Sequence, residues 1–288
     1  MSQNVALRTY QKLIDDATTL LYESSETPRI DAEVLLQHAI EKPLAWLIAY
    51  GDSTATNEHL IEFYRLVELR QQGHPIAYII EHKEFWSLDL IVNESVLIPR
   101  PDTEILVEQA LERLIPNTTQ QILDLGTGSG AIALSLAKER PQSSVLATDS
   151  QTSALEVAKL NAESHRLTNV SFICSDWFTE LVADQQFDLI ASNPPYIEST
   201  DQHLTQGDLR FEPNSALVGS DDGLGDIRII IEAAPNYLTN GGHLLIEHGY
   251  DQAESVKALL AAAGFNNITN YRDPVSYTHL TLPTILLV

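Results

Sequence analysis

Ile122-Leu123-Asp124-Leu125-Gly126-Thr127-Gly128-Ser129-Gly130-Ala131 decides the fold of this chain. A short apolar run that ends in a glycine-rich turn and leads into a second apolar segment reads as strand, tight loop and helix. Its glycines let the backbone turn sharply and approach a ligand without Cβ clashes. The helix N-terminus offers unpaired N–H groups to an anion. Outward from this stretch the same rhythm repeats. Strands are expected at Ile122–Leu125, Val145–Thr148, Val170–Cys174, Leu189–Ser192, His243–Glu247 and Ile268–Tyr271. Helices fit at Ala131–Glu139, Ser153–His165, Asp226–Leu238 and Gln252–Ala263. The alternation predicts an α/β fold with a doubly wound, mostly parallel sheet, whose ligands bind beyond the carboxyl ends of the strands at the switch point.

Upstream, residues 1–75 read as a small helical bundle. Val5, Leu7, Leu13, Ile14, Ala17, Leu20 and Leu21 recur at helical spacing. A second helix is expected from Asp31, and a third from Thr56 to Gln72, closed by Gly73 in a left-handed cap. Residues 76–98 read as a β-hairpin linker built from Ile76–Ile80, Phe85-Trp86 and Leu88–Val92. Pro99 and Pro101 stiffen the next segment, and Asp102 or Thr103 is positioned to cap a helix over Glu104–Leu114. The α/β domain then spans 99–273, and 274–288 is an atypical C-terminal tail.

The chain of 288 residues is 44% hydrophobic and 20% charged, ordinary for a globular protein, but its formal net charge is −23. Such a surface repels phosphate backbones, so no direct nucleic-acid partner is expected beyond what a local basic patch could hold. The single cysteine, Cys174, excludes an internal disulfide, and its place in an expected strand favours a buried, inert thiol. Histidine spacing gives no metal site. There is neither a signal-peptide pattern nor an apolar run approaching the ~20 residues of a membrane span. A cytoplasmic monomer without membrane contact is expected.

Asn193-Pro194-Pro195-Tyr196 follows the fourth strand. Neither proline can extend a sheet, so the tetrapeptide makes a stiff lip with a carboxamide, outward carbonyls and a flat ring. That set can grip a planar NH2 group; a plain strand-ending turn would use similar residues. Asp149 ends the second strand about 20 residues beyond the glycine loop, where a carboxylate holds ribose hydroxyls. The loop also fits the dinucleotide pattern G-x-G-x-x-A, which keeps a nicotinamide dehydrogenase open. Asp124, just before the first glycine, sits badly beside a pyrophosphate but suits the ammonium and sulfonium of S-adenosylmethionine. Asp176-Trp177 points the same way: an acid can accept the adenine amine, and an aromatic can cover the base. Trp177 could equally be a core anchor.

Together these motifs resemble class I S-adenosylmethionine-dependent methyltransferases, Rossmann-like enzymes acting on planar nitrogens. Gly73-His74-Pro75-Ile76-Ala77-Tyr78-Ile79, Glu84-Phe85-Trp86, Leu97–Glu104, Arg210-Phe211-Glu212-Pro213, Asp222-Gly223-Leu224 and Glu247-His248-Gly249 resemble the release factor glutamine methyltransferase (PrmC/HemK) family more specifically. The resemblance implies methyl transfer to the side-chain N5 of the glutamine in the Gly-Gly-Gln motif of peptide chain release factors, in translation termination. It implies that Gly126, Thr127, Gly128, Ser129 and Gly130 line the cofactor, Asp149 binds its ribose and Trp177, beside Asp176, its adenine. Asn193 would touch cofactor and substrate, Pro194, Pro195 and Tyr196 would hold the glutamine amide, and the N-terminal bundle would dock the release factor. Two departures stand out. Glu81 replaces a usual glycine, so that turn is expected to differ. Residues 274–288 match nothing in the family pattern and read as a scar that packs poorly from about residue 276 on.

An amide nitrogen is a poor nucleophile, so the enzyme mainly has to position it. Asn193 Oδ1 and the Pro194 carbonyl are assigned as acceptors for the two glutamine N–H groups, with Tyr196 holding the amide plane. No general base stands out. Rival readings are a nucleic-acid amino-methyltransferase acting on adenine N6 or guanine N2, a ribosomal-protein glutamine methyltransferase, the nicotinamide oxidoreductase and a non-catalytic binder.

Overall fold

The computed structural model describes residues 8–272 and 284–287. The chain divides into two units, Met1–Glu81 with Gln206–Phe211, and His82–Thr205 with Glu212–Val288.

The first unit holds helices α1 (Tyr10–Leu20), α2 (Pro28–Ile40), α3 (Leu44–Tyr50), α4 (Asn57–Gln71) and α5 (Ile76–Ile80). Thr9 and Thr56 cap α1 and α4 through their hydroxyls, and Pro28 opens α2 where its missing N–H costs nothing. Leu13, Ala17, Leu35, Leu36, Phe63 and Leu66 meet in a core without solvent exposure. Inside it the Asp31 carboxylate accepts from Ser25 Oγ (2.7 Å), Thr27 Oγ1 (3.1 Å) and Arg70 Nε (2.7 Å), which pairs and saturates a buried charge. Gly73 closes α4 at φ 95°. Val5 and Leu7 of the first expected helix lie outside the described residues.

Ile76–Ile80 is a helix, not the first strand of a hairpin. Five apolar residues do not distinguish the two by pattern. Pro75 fixes the entry, its carbonyl accepts from Tyr78 N and Ile79 N, and Ile79 is buried in the bundle core. Glu81 then closes the helix in a left-handed conformation, φ 60°. This is the position where the family pattern has glycine and where glycine would cost least.

The second unit begins with the hairpin β1 (His82–Phe85) and β2 (Leu88–Ile91). Trp86 and Ser87 turn it with φ 49° and 55°, the left-handed pair a two-residue hairpin needs. Helix α6 (Thr103–Arg113) precedes β3 (Gln121–Leu125), α7 (Ala131–Glu139), β4 (Ser144–Asp149), α8 (Thr152–Ser164), β5 (Val170–Cys174) and β6 (Phe187–Ser192). Next come α9 (Asn214–Leu217), α10 (Gly225–Ala233), β7 (Leu238–His248), α11 (Ala253–Ala262), β8 (Thr269–Arg272) and β9 (Thr284–Leu287). The sheet order is β5-β4-β3-β6-β7-β9-β8; the first five strands run parallel, and β9 pairs antiparallel to both β7 and β8. Residues alternate between faces as the pleat demands. Ile122, Val145, Leu189 and Leu245 pack against α6, α7 and the hairpin, while Leu123, Leu146, Ile190 and Leu244 pack against α10 and α11. Both faces are covered, so the sheet is doubly wound. The chain winds outward one way from β3 to β5 and the other way from β6, so the ends of the parallel neighbours β3 and β6 flank the crevice at the switch point.

Two further expectations are corrected. The helix placed over Asp226–Leu238 ends at Ala233 and tightens into a 3₁₀ turn over Ala234–Asn236, because Pro235 has no N–H to continue the ladder. Cys174 is exposed rather than buried, since β5 is the outer strand and Cys174 closes it. Residues 284–287 of the tail read as a poorly packing scar form a strand paired with β7 and β8; 273–283 and 288 lie outside the described residues. Among the described residues no helix is long and apolar enough to cross a membrane.

Candidate functional site

The glycine loop joins β3 to α7 at the head of a cavity of about 490 Å³. Gly126, Gly128 and Gly130 all have positive φ. At Gly126 (φ 70°) an added Cβ would stand 3.5 Å from the Trp177 ring, in the space between loop and aromatic. At Gly130 (φ 86°) it would press Leu134 at 3.0 Å. Thr127 N donates to Thr148 O (2.8 Å) and Gly130 N to Thr127 O (2.8 Å), which fixes the turn.

Asp124 lies beneath the loop and does not reach the cavity. It is fully buried, and its Oδ2 accepts from Thr127 Oγ1 (2.7 Å) and from Ala133 N in the first turn of α7 (3.1 Å). The expectation that it meets a ligand ammonium is therefore corrected. Its strand points it into the interior, where it ties loop to helix; burial pushes its carboxyl up to about 7. Asp149 is at the cavity wall, half-buried, accepting from Gly128 N (2.9 Å) and Gln151 N (2.9 Å). Burial raises its pKa although these backbone N–H groups oppose the shift. A carboxylate has about four acceptor positions, so both oxygens keep lone pairs for a diol.

Gly126, Thr127, Gly128 and Ser129 line the cavity with Asp149; Gly130 lies just behind as the N-cap of α7. Asp176 and Trp177 line it from the end of β5, and Trp177 holds a left-handed backbone, φ 49°. Such a conformation costs a non-glycine residue roughly 1–2 kcal/mol and fits a ring aimed by its loop. Asn161, fully buried on α8, donates to Ser129 O (2.9 Å) and Ile91 O (3.0 Å) and accepts from Ile91 N (2.7 Å). It thereby couples the hairpin to the glycine loop, a role that a lone helical Asn does not announce.

Across the crevice, Ser192 Oγ donates to Leu125 O (2.8 Å), locking the end of β6 to the end of β3. Asn193 and Pro195 are on the cavity wall; Pro194 is buried, and Tyr196 turns its hydroxyl inward toward Glu247 Oε1 (3.5 Å). Asn193 Nδ2 donates to Thr103 Oγ1 (3.2 Å). Thr103 was expected as a helix cap, yet neither it nor Asp102 caps α6 through its side chain. Thr103 is buried and committed to Asn193 instead.

The lip is also braced from behind. Gln252 Nε2 donates to Tyr196 O (3.0 Å), and Gly219 and Gly223 pass so close that a Cβ would stand 2.7 Å from Pro195 O and 2.5 Å from Tyr196 O. Leu97, Pro99 and Arg100 complete the wall. Their segment is held by the buried Glu212, which accepts from Ile98 N (3.1 Å) and pairs with Arg100. Glu247 itself is fully buried, and burial drives its carboxyl up to about 8. Burial also raises Tyr196 well above the usual phenol range, with Glu247 adding to the shift, so the hydroxyl is neutral. Glu247 and Gly223 stood in short segments without evident chemistry, and Gly219 gave no sequence signal.

The lining fits an adenosyl ligand: a diol acceptor at Asp149, an aromatic face at Trp177 and a loop whose glycines leave room for close approach. The cavity falls in the range of about 300–1,000 Å³ usual for small-molecule sites.

Residues 12–80 match the family model of the PrmC N-terminal domain, and 101–210 that of the methyltransferase small domain. The chain is 50% identical over 245 residues to the release factor glutamine methyltransferase of Xylella fastidiosa (strain 9a5c), covering 85% of this chain and 89% of that one. To the enzyme of the same name from Escherichia coli (strain K12) it is 46% identical over 273 residues, 95% and 98% of the two chains. Among solved structures it resembles a methyltransferase from Pyrococcus furiosus (TM-score 0.51, 17% identity, 69% and 87% covered). It also resembles the hMettl16 catalytic domain in complex with an RNA hairpin (TM-score 0.55, 17% identity, 81% of each chain covered). These two likenesses establish the shared fold.

Proposed function

This chain belongs to the release factor glutamine methyltransferase family, and we propose that it methylates the side-chain nitrogen (N5) of the glutamine in the Gly-Gly-Gln motif of peptide chain release factors. The observation that carries the chemistry is the Asn193 carboxamide, held by Thr103 at 3.2 Å on the wall of a cavity that also contains the glycine loop. S-adenosylmethionine, when bound, supplies an electrophilic methyl group.

The residues of the chain do the positioning. Gly126–Gly130 cradle the donor, Asp149 holds its ribose, and Asp176 and Trp177 its adenine. Asn193 Oδ1 and the Pro194 carbonyl accept the two N–H hydrogens of the glutamine. Pro195 and Tyr196 flank the amide, Tyr196 steadied from behind by its hydroxyl. Orientation of this kind supplies about 7–11 kcal/mol in well-arranged reactions. Acceptors aimed at the N–H groups also stabilise the positive charge that grows on nitrogen. Glu247 does not line the cavity and is not assigned as a base.

We assign residues 1–75 to docking of the release factor and 99–273 to catalysis. The setting is translation termination in the cytoplasm, by a monomer without direct nucleic-acid contact; the net charge of −23 supports a protein rather than a nucleic-acid partner.

Incubation with labelled S-adenosylmethionine tests the reading. Label should appear on a Gly-Gly-Gln release factor and on neither its Gln-to-Ala variant, DNA nor rRNA. Label on nucleic acid, or on the Gln-to-Ala variant, overturns it.

A further inference from the structure

Gln252 immediately precedes α11 and stands outside the cavity wall, behind the lip. Its side chain bridges two turns: Oε1 accepts from Gly249 N (2.9 Å), and Nε2 donates to Tyr196 O (3.0 Å). The two ends of a carboxamide are almost the same shape, but a backbone N–H can only donate. Gly249 therefore fixes which end is oxygen and leaves Nε2 for the lip. Glycine backbone closes over both bonds. A Cβ on Gly223 would stand 3.0 Å from Nε2 and 2.5 Å from Tyr196 O, and one on Gly249 3.1 Å from Oε1. Gln252 makes no side-chain cap on α11, at a position where a short polar or acidic residue serves a helix better. Its amide is directed at the lip instead.

Asn193-Pro194-Pro195-Tyr196 needs such an outside hold. Residues 194 and 195 have no N–H, and their rings restrict φ. Upstream the chain is fixed by the pairing of β6 with β3 and by Ser192 Oγ on Leu125 O (2.8 Å). Downstream the Tyr196–Ile197 peptide unit is held at both ends, its carbonyl by Gln252 and its N–H by Leu217 O (3.0 Å). Few torsions remain between these anchors, so the tilt of that peptide unit sets the direction of the Pro194 carbonyl.

We propose that Gln252 is a positioning residue: its Nε2 draws in the Tyr196 carbonyl and thereby keeps Asn193 and the Pro194 carbonyl aimed at the substrate amide. The inference rests on the assignment of this lip to the glutamine.

The test uses the full chain with a release factor and the variants Gln252→Glu and Gln252→Met, at about pH 8, well above the ordinary glutamate range. Glu has the same shape, keeps an acceptor for Gly249 N and sets a second oxygen against Tyr196 O. Met fills a similar length without an amide. Turnover should fall about tenfold with Met and about 100-fold with Glu, the loss expected when a reacting group is misplaced by about 1 Å. The Kd for S-adenosylmethionine should stay within about twofold of the parent. Glu should melt no lower than Met, because it retains the bond from Gly249 and its charge suits the first turn of α11. The better-folded variant is then the slower one, which a merely structural role does not give.

Amide exchange of Ile197, the N–H of the held peptide unit, reads the geometry without turnover. It should be slow in the parent and at least about tenfold faster in both variants. If the Glu variant does not fold, Met carries the turnover and exchange measurements. Parent-like turnover in either variant, Glu turning over at least as fast as Met, a loss confined to cofactor affinity, or unchanged Ile197 exchange overturns the proposal. A parent that leaves the release factor unlabelled while exchange follows the expected pattern overturns the substrate reading and upholds the hold of Gln252 on the lip.

Discussion

The glycine loop and the Asn193–Tyr196 lip face each other across one cavity but are built in different ways. The loop is the more local object: its helix start and its bonds to Asp124 lie within Asp124–Leu134, and its outside anchors, Thr148 O, Asp149 and Asn161, come from the next strand and helix, β4 and α8. The lip is assembled from afar, by Thr103, Gly219, Gly223, Glu247 and Gln252. A ligand common to many proteins can be held by a short motif, whereas selecting one amide orientation needs polarity supplied by several segments.

If the division is right, lip variants should damage turnover and loop variants affinity. Asn193→Ala should lower kcat by about 10²–10³-fold while the Kd for S-adenosylmethionine changes little, measured by labelled methyl transfer and by titration calorimetry. Parent-like turnover would end the division at its centre. Gly219→Ala places a methyl 2.7 Å from Pro195 O and has to push the lip; a loss of about 100-fold in kcat is expected, again with little change in cofactor affinity. Asp149→Ala should do the reverse, weakening cofactor binding about 10- to 100-fold with a smaller effect on kcat at saturation.

Glu247 sharpens the contrast through pH. Its carboxyl rises from 4.5 to about 8 on folding. Below 4.5 it is protonated in both states; between 4.5 and 8 the unfolded chain has lost a proton that the folded chain keeps. This contribution to stability is therefore full at low pH and is lost as pH rises toward 8. The melting temperature of Glu247→Gln relative to the parent should climb across that window and then level off. Smallest, and outside both regions, Glu81→Gly should relieve a left-handed backbone and stabilise the protein by about 0.5–1 kcal/mol in denaturant unfolding, leaving kcat unchanged.

The same contrast explains what could be read from sequence. Strand and helix positions of the α/β unit followed from apolar periodicity, and the loop from its glycines, because those signals are local. Ile76–Ile80 was misread because a short apolar run has no period of its own and Pro75 with the bundle core made the choice. Asp124 was placed at the ligand because strand register alone does not say which side of the turn a side chain takes. Thr103 looked like a cap because the partner that claims it, Asn193, is 90 residues away. Glu247 was visible only as part of an unexplained segment, since a buried carboxyl acquires its role from neighbours brought by other strands.

The order of the last strands has a consequence for synthesis. β8 leaves the ribosome before β9, yet β9 must lie between it and β7. Until Thr284–Leu287 emerges, β7 presents an unsatisfied edge, and β8 has no legitimate partner in the sheet. A nascent chain stalled between these strands therefore exposes two pairing-competent ribbons at once, the condition under which strands bind the wrong neighbour or another chain. Chaperone dependence should peak for chains truncated just before residue 284.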